Sequence, residues 1–205
     1  MRFYQDQLLP RLQDKVMSRK PNRAVRARVC AGLSGDVVEV GFGTGLNTWY
    51  YPAEVTRVFA VEPSALCMRI AEPRIARSSV TVERAGLNGE HLELDSDQAD
   101  AVLSTWTLCT IPDLDSALSE IRRVLKPGGV LHFVEHGHAP DPKVQRWQRR
   151  IEPINKRLAG GCHLTRKVPE LIAQAGFRVE PLDSYYFEGE PKPFGYTYEG
   201  RATKQ

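Results

Sequence analysis

One stretch constrains this chain more than any other: Val37-Val38-Glu39-Val40-Gly41-Phe42-Gly43-Thr44-Gly45-Leu46-Asn47. The short β-branched apolar run predicts a strand buried on both faces, and the glycines at alternate positions break it into a tight turn. A short helix over residues 46–51, closed by Pro52, is expected to follow. Glycine suits such a turn because it reaches backbone angles closed to other residues and lets a ligand lie against the main chain, near the free N–H groups of a helix N-terminus. About twenty residues on, Arg57-Val58-Phe59-Ala60-Val61-Glu62 is a second apolar strand ending in an acid, where a carboxylate accepts hydrogen bonds from a ribose diol. The implied ligand carries adenosine. The dinucleotide fingerprint requires glycine where this chain has Leu46, so the loop departs from that of the dehydrogenases.

The length of 205 residues, 41% hydrophobic and 26% charged, suits one soluble domain. A net charge of +3, evenly spread, is too small to mark a nucleic-acid surface, so no nucleic-acid partner is expected. Cys30, Cys67, Cys109 and Cys162 show no paired CxxC spacing for zinc; they read as reduced thiols and no metal is expected. No apolar run approaches the roughly 20 residues that cross a bilayer, so a cytoplasmic monomer or homodimer without a membrane anchor is expected.

Residues 1–34 read as helical, with Leu8, Leu9, Leu12, Val16 and Met17 at helical spacing and a break near Pro21, and are expected to pack over the pocket. A helix over 65–77, capped by Ser64 and shortened by Pro73, leads to a third strand over 80–84. A fourth strand at 100–104 precedes a helix whose buried face is Leu114, Ala117, Leu118, Ile121 and Leu125. Lys126-Pro127-Gly128-Gly129 ends that helix, and residues 130–135 form a fifth strand. This alternation predicts an α/β fold with a doubly wound, mostly parallel sheet, helices on both faces and ligands at the strands' carboxyl ends. Beyond it come a helix over 142–158 with Trp147, Ile151, Ile154 and Leu158 inward, a helix over 164–175 stopped by Gly176, and two closing strands within 177–187 and 194–202. The single domain thus divides into an N-terminal segment (1–34), a cofactor-binding core (35–137) and a C-terminal part (138–205).

With Glu39 two residues before the first glycine and Leu125-Lys126-Pro127-Gly128-Gly129 before a later strand, the chain resembles the class I S-adenosylmethionine-dependent methyltransferases. The Gly41–Asn47 loop followed by Tyr51-Pro52, together with Thr107-Leu108-Cys109-Thr110-Ile111-Pro112-Asp113, resembles the ubiquinone/menaquinone-biosynthesis type. Phe133-Val134-Glu135-His136, Trp147…Ile151-Glu152-Pro153 and Gly161-Cys162-His163-Leu164-Thr165-Arg166 resemble the branch that includes the microsomal alkyl-thiol S-methyltransferases. The likeness runs from about residue 36 to 177. It implies a Rossmann-like fold with a seven-stranded sheet, S-adenosyl-L-methionine as cofactor with S-adenosyl-L-homocysteine as product, and a small-molecule acceptor. By resemblance, Gly41, Gly43 and Gly45 admit the cofactor's amino-acid end to the backbone, Glu62 holds the ribose, Asn88 and Gly89 flank adenine, and Thr105 offers backbone to the methionine end. Glu39, Asn47 and Pro63 complete that set. Two departures stand out: Asn88 replaces the Asp of many relatives, and the hydrophobic N-terminal anchor of the microsomal members is not seen.

The methyl on a sulfonium is already activated, so alignment of the nucleophile carries most of the catalysis and a strong base is optional. His136 and His163 are the candidates for base or substrate orienter, while Tyr4, Trp106, Cys109 and Arg166 are candidates for contact with the acceptor. A thiol acceptor is the first expectation. The alternatives are O- or C-methylation of a phenol, quinol or other small metabolite, a non-catalytic binder of the cofactor, and a nicotinamide-dependent oxidoreductase.

Overall fold

The computed structural model describes residues 3–205. After a helical turn at Tyr4–Leu8, α1 (Leu9–Met17) and α2 (Lys20–Cys30) precede β1 (Gly35–Val40). Then follow β2 (Val55–Val61), α3 (Ala65–Ile75), β3 (Thr81–Arg84), β4 (Ala99–Thr105), α4 (Leu114–Val124) and β5 (Leu125–His136). The C-terminal part adds α5 (Pro142–Leu158), α6 (Val168–Gln174), β6 (Phe177–Val179), β7 (Asp183–Tyr186), α7 (Lys192–Gly195) and β8 (Tyr196–Lys204).

One sheet runs β3-β2-β1-β4-β5-β8-β6, with β7 also paired to β8. The first five strands are parallel and β8 is antiparallel to its neighbours. Alternate residues feed two cores, as the period of a strand requires. Val38, Val40, Phe59, Val61, Val102, Leu131 and Phe133 pack with α4 and α6 on one face. Val37, Val58, Ala60, Ala101, Leu103 and Val134 pack with Val25, Val29 and Cys30 of α2 and Ala71 of α3 on the other. β1 is therefore buried on both sides, and its carboxyl end, with those of β2 and β4, opens on the cavity described below.

Three expectations are corrected. Residues 46–51 form successive turns, not a helix, closed by Gly45 N–H to Phe42 O, Thr48 N–H to Gly45 O and Tyr50 N–H to Asn47 O. A segment this short nucleates a helix poorly, and the Asn47 side chain is drawn inward to Glu39 instead. The α5 stripe keeps its spacing but faces elsewhere: Trp147, Ile154 and Leu158 are 57%, 62% and 55% exposed. Gln148 takes the inward position, accepting from Ala139 N–H and donating to Gly137 O, which sets the rotation of the helix. Last, the closing hairpin has three strands. Pro181 lacks the N–H that would continue the ladder, so β6 and β7 pair with opposite halves of β8, while Leu182 crosses Gly200 at a point where a Cβ would lie 2.7 Å away. The sheet is thus seven positions wide with eight strands.

Candidate active site

At Gly41 the chain leaves β1 with φ +77°, and a Cβ there would lie 2.7 Å from that of Thr107. Only glycine fits both demands. The N–H groups of Gly41 and Phe42 return to Val61 O, which fixes the turn against β2. At the end of β2, Glu62 accepts from Gly43 N–H on one oxygen and from Ser64 N–H on the other, each at 2.8 Å. Burial raises its pKa, with those two N–H groups opposing the rise. Each oxygen keeps lone-pair capacity toward the cavity that Glu62 lines.

Behind this wall lies a buried polar knot. Glu39 accepts from Asn47 Nδ2 at 2.9 Å and from the Tyr51 hydroxyl. Arg26 Nη1 donates to Asn47 Oδ1 at 2.7 Å and to Thr105 Oγ1 at 3.2 Å. Burial lifts the Glu39 pKa to about 7 against the pull of these partners and of the Arg26 charge. Arg26 stands 5.0 Å from the Trp106 ring, lines the cavity, and keeps a buried Nε without a partner. Trp106 itself holds φ +55°, a costly backbone for a bulky residue, and so directs its ring toward His136, 6.3 Å away.

The acceptor wall is built from two loops. Glu135 is fully buried and accepts from Ser104 Oγ and from the N–H groups of Thr107, Leu108 and Cys109 at 2.8–3.0 Å. That grip shapes the loop after β4. The loop after α5 meets it through His163 N–H to Cys109 O at 2.8 Å, while Asn155 Nδ2 holds Cys162 O. The result places the sulfurs of Cys109 and Cys162 3.6 Å apart, and Cys162 Sγ 3.8 Å from His136 Nδ1. Cys109 and His136 together hold the Cys162 thiol below its ordinary pKa range. Burial resists charge on His136, yet its contact with Cys162 raises its pKa.

These walls enclose a cavity of about 1120 Å³, large enough for a nucleoside cofactor and a second small molecule. Gly41, Gly43, Glu62, Pro63, Asn88, Gly89, Thr105, Trp106, Cys109 and His136 all line it. So do Leu9, Leu12 and Asp14 of α1, and Asp14 latches that helix down through Thr44 Oγ1 and Arg74 Nη1. Asn88 Oδ1 already accepts from Glu90 N–H. Glu39, Gly45 and Asn47 lie behind the lining. The remaining candidates are engaged elsewhere: His163 Nδ1 is 3.6 Å from Glu152 Oε1, Arg166 donates to the carbonyls of Leu108 and Pro112, and the Tyr4 hydroxyl donates to Leu158 O. Arg26 and Asp14 were not singled out from sequence. The available signal for Arg26 is its phase, since it shares a helix face with Val25, Val29 and Cys30.

A parallel sheet with one antiparallel strand set between β5 and the edge, and a cavity at the carboxyl ends, defines a Rossmann-like methyltransferase fold. A family described as a methyltransferase domain matches residues 38–133. Over 195 residues the chain is 33% identical to thiol S-methyltransferase TMT1B of Rattus norvegicus, an alignment covering 91% of this chain and 77% of that one. It is 30% identical over 160 residues to demethylmenaquinone methyltransferase of Thermobifida fusca (strain YX), covering 75% of this chain and 63% of the relative. A SAM-dependent methyltransferase from Thermotoga maritima shares the fold, with a TM-score of 0.69, 21% identity, and coverage of 100% of this chain and 99% of that one. The chain belongs to the class I S-adenosylmethionine-dependent methyltransferases, of the type that includes the TMT1 and demethylmenaquinone enzymes. Its methyl donor is S-adenosylmethionine.

Proposed function

We propose that the enzyme transfers its methyl group to the sulfur of a small, partly apolar thiol seated between Trp106 and the corner formed by Cys109, His136 and Cys162. The observation that carries this reading is Glu135. Its carboxylate lies beneath the acceptor wall but is committed to four hydrogen bonds, so it anchors a loop and does not line the cavity where an acceptor would sit. Imidazole and sulfur remain at that wall. A thiol, with an ordinary pKa of about 8.5, ionises in such surroundings without a strong base, whereas an alcohol does not. The similarity to thiol S-methyltransferase TMT1B supports the same acceptor class.

The residues fit the cofactor: a half-committed acid, Glu62, faces the cavity, and a buried arginine, Arg26, stands at its inner end. When bound, S-adenosylmethionine supplies an electrophilic methyl on a sulfonium. Glu62 accepts from the ribose hydroxyls, Asn88, Gly89 and Pro63 flank the adenine, and the backbone at Gly41, Gly43 and Thr105 receives the methionine end. Arg26, oriented by Asn47 and Thr105, would face its carboxylate. Trp106 and His136 orient the acceptor and keep water out. Tyr4, His163 and Arg166 act at one remove, by bracing the loops that carry this wall.

No helix among the described residues is long and apolar enough to cross a membrane. Cys30, Cys67, Cys109 and Cys162 are all free and buried, as suits a reducing compartment, and we place the enzyme in the cytoplasm, acting on free small molecules as a monomer or homodimer.

Titration calorimetry with S-adenosylhomocysteine tests the site. Glu62→Ala is expected to weaken binding by about 1.5–3 kcal/mol, the loss of hydrogen bonds to a charged acceptor, with Glu62→Gln in between. Unchanged affinity in both would remove Glu62 from the ribose. Turnover with alkyl and aryl thiols set beside phenols and quinols tests the acceptor. Methylation confined to the quinols would favour the chemistry named for the Thermobifida relative.

A further inference from the structure

We propose that Cys109, His136 and Cys162 form a zinc site with three protein ligands and a fourth position open to the acceptor end of the cavity. Zinc bonds of about 2.3 Å to sulfur and about 2.0–2.1 Å to nitrogen, arranged tetrahedrally, put two sulfurs about 3.8 Å apart and a sulfur and a nitrogen about 3.5 Å apart. Here Cys109 Sγ and Cys162 Sγ are 3.6 Å apart and Cys162 Sγ is 3.8 Å from His136 Nδ1. All the donor atoms lie within 4.8 Å of one another. The donor set is that of a borderline-soft, four-coordinate ion, and three ligands with an open position is the catalytic arrangement, not the structural one.

The surroundings hold the ligands in place. Cys109 sits on the loop gripped by Glu135, Cys162 is fixed through Asn155, and His163 N–H ties the two loops together. Supports of this kind, one bond removed from the ligands, are what a metal site requires. Two thiolates balance the charge of the ion, and all three ligands line the cavity, which provides access. A disulfide is the competing fate of two such thiols, but it requires the sulfurs to close from 3.6 Å to about 2.05 Å.

The consequence for the reaction rests on the thiol reading above. A thiol that takes the open position binds as thiolate and releases its proton to solvent. Its sulfur then forms the new bond to the methyl carbon while the carbon–sulfonium bond breaks, that electron pair staying on the sulfur of S-adenosylhomocysteine. The thioether product is a poor zinc ligand and leaves.

The test is metal binding by the full chain, freed of any histidine tag and loaded with zinc chloride or cobalt(II) chloride. About one zinc per chain is expected by elemental analysis, and the cobalt form is expected to show tetrahedral visible bands with a thiolate charge-transfer band. Cys109→Ser, Cys162→Ser and His136→Ala should each weaken retention by at least about tenfold, while Cys30→Ser keeps it. Retained S-adenosylhomocysteine binding shows that each variant is folded. A chain that takes up no zinc, or holds it equally well in all three ligand variants, overturns the site. Thiol methylation by a metal-free chain overturns the step and leaves the proposed acceptor standing. A cobalt spectrum that shifts when an alkyl thiol is added supports both site and step. A ligand-dependent spectrum indifferent to thiols supports the site and overturns the step.

Discussion

Replacing Gly41 with alanine is expected to destabilise the protein by about 2–5 kcal/mol and to abolish cofactor binding with it. Two costs add. A φ of +77° strains an L residue by about 1–2 kcal/mol, and forcing a methyl into a packed site costs about 1–3 kcal/mol more. The obstacle cannot step aside, because Thr107, whose Cβ lies 2.7 Å from the intruding carbon, has its N–H held by Glu135 at 3.0 Å. Denaturant unfolding measures the total. In Gly41→Ala/Thr107→Gly the overlap disappears while the backbone strain stays, so about half of the loss should return. A single variant within 0.5 kcal/mol of the wild type would mean that the turn is not held as described.

The second large effect is a pH dependence. His132, 3% exposed, lies on β5 with Nδ1 2.8 Å from Val29 O in α2. Burial drives its pKa down to about 4, the Val29 carbonyl and Glu180 opposing the fall and Arg201 adding to it. The unfolded chain takes up this proton near pH 6.5 and the native chain only near pH 4, so between those values the unfolded state binds more protons. Stability therefore falls as pH falls through that window, by about 3 kcal/mol in total for this group. Urea unfolding of wild type and His132→Gln at pH 7 and pH 4 isolates it. The difference between the two should move by that amount in favour of the variant on acidification. A constant difference would show that His132 titrates as an ordinary histidine.

The sequence read well wherever a local rule sets the structure. Parallel strands announce themselves as β-branched runs, and the face of α4 at Leu114, Ala117, Leu118 and Ile121 follows from period alone. The place of Glu62 was legible for the same reason, since the residue that follows β2 falls at the carboxyl edge of the parallel strands, where the cavity opens. What failed depended on distant partners. Residues 46–51 carry no strong helix breaker before Pro52, yet Glu39 captures Asn47 and the segment settles into turns where a helix was expected. The α5 stripe was visible, but Gln148 decides which side of it is inside, through partners up to 45 residues away. Arg26 stands among Arg23 and Arg28 and reads as one more solvated cation until α2 is laid on the sheet. The thiol and imidazole corner is the extreme case: Cys109 and Cys162 lie on two loops 53 residues apart and His136 falls between them at the end of β5, so no spacing rule could join them.

The broken hairpin has a consequence for how these molecules behave in a crowd. A strand with one unpaired side is a template on which another chain can add, and long, flat, apolar edges are the dangerous ones. Here β3, at one border of the sheet, is four residues long and exposes Glu83 and Arg84. The other border is split into pieces of three and four residues, with Pro181 between them. Neither border offers a run of backbone donors and acceptors long enough to recruit a neighbour. The same proline that divides the last position of the sheet thus guards the protein against polymerising through its own strands.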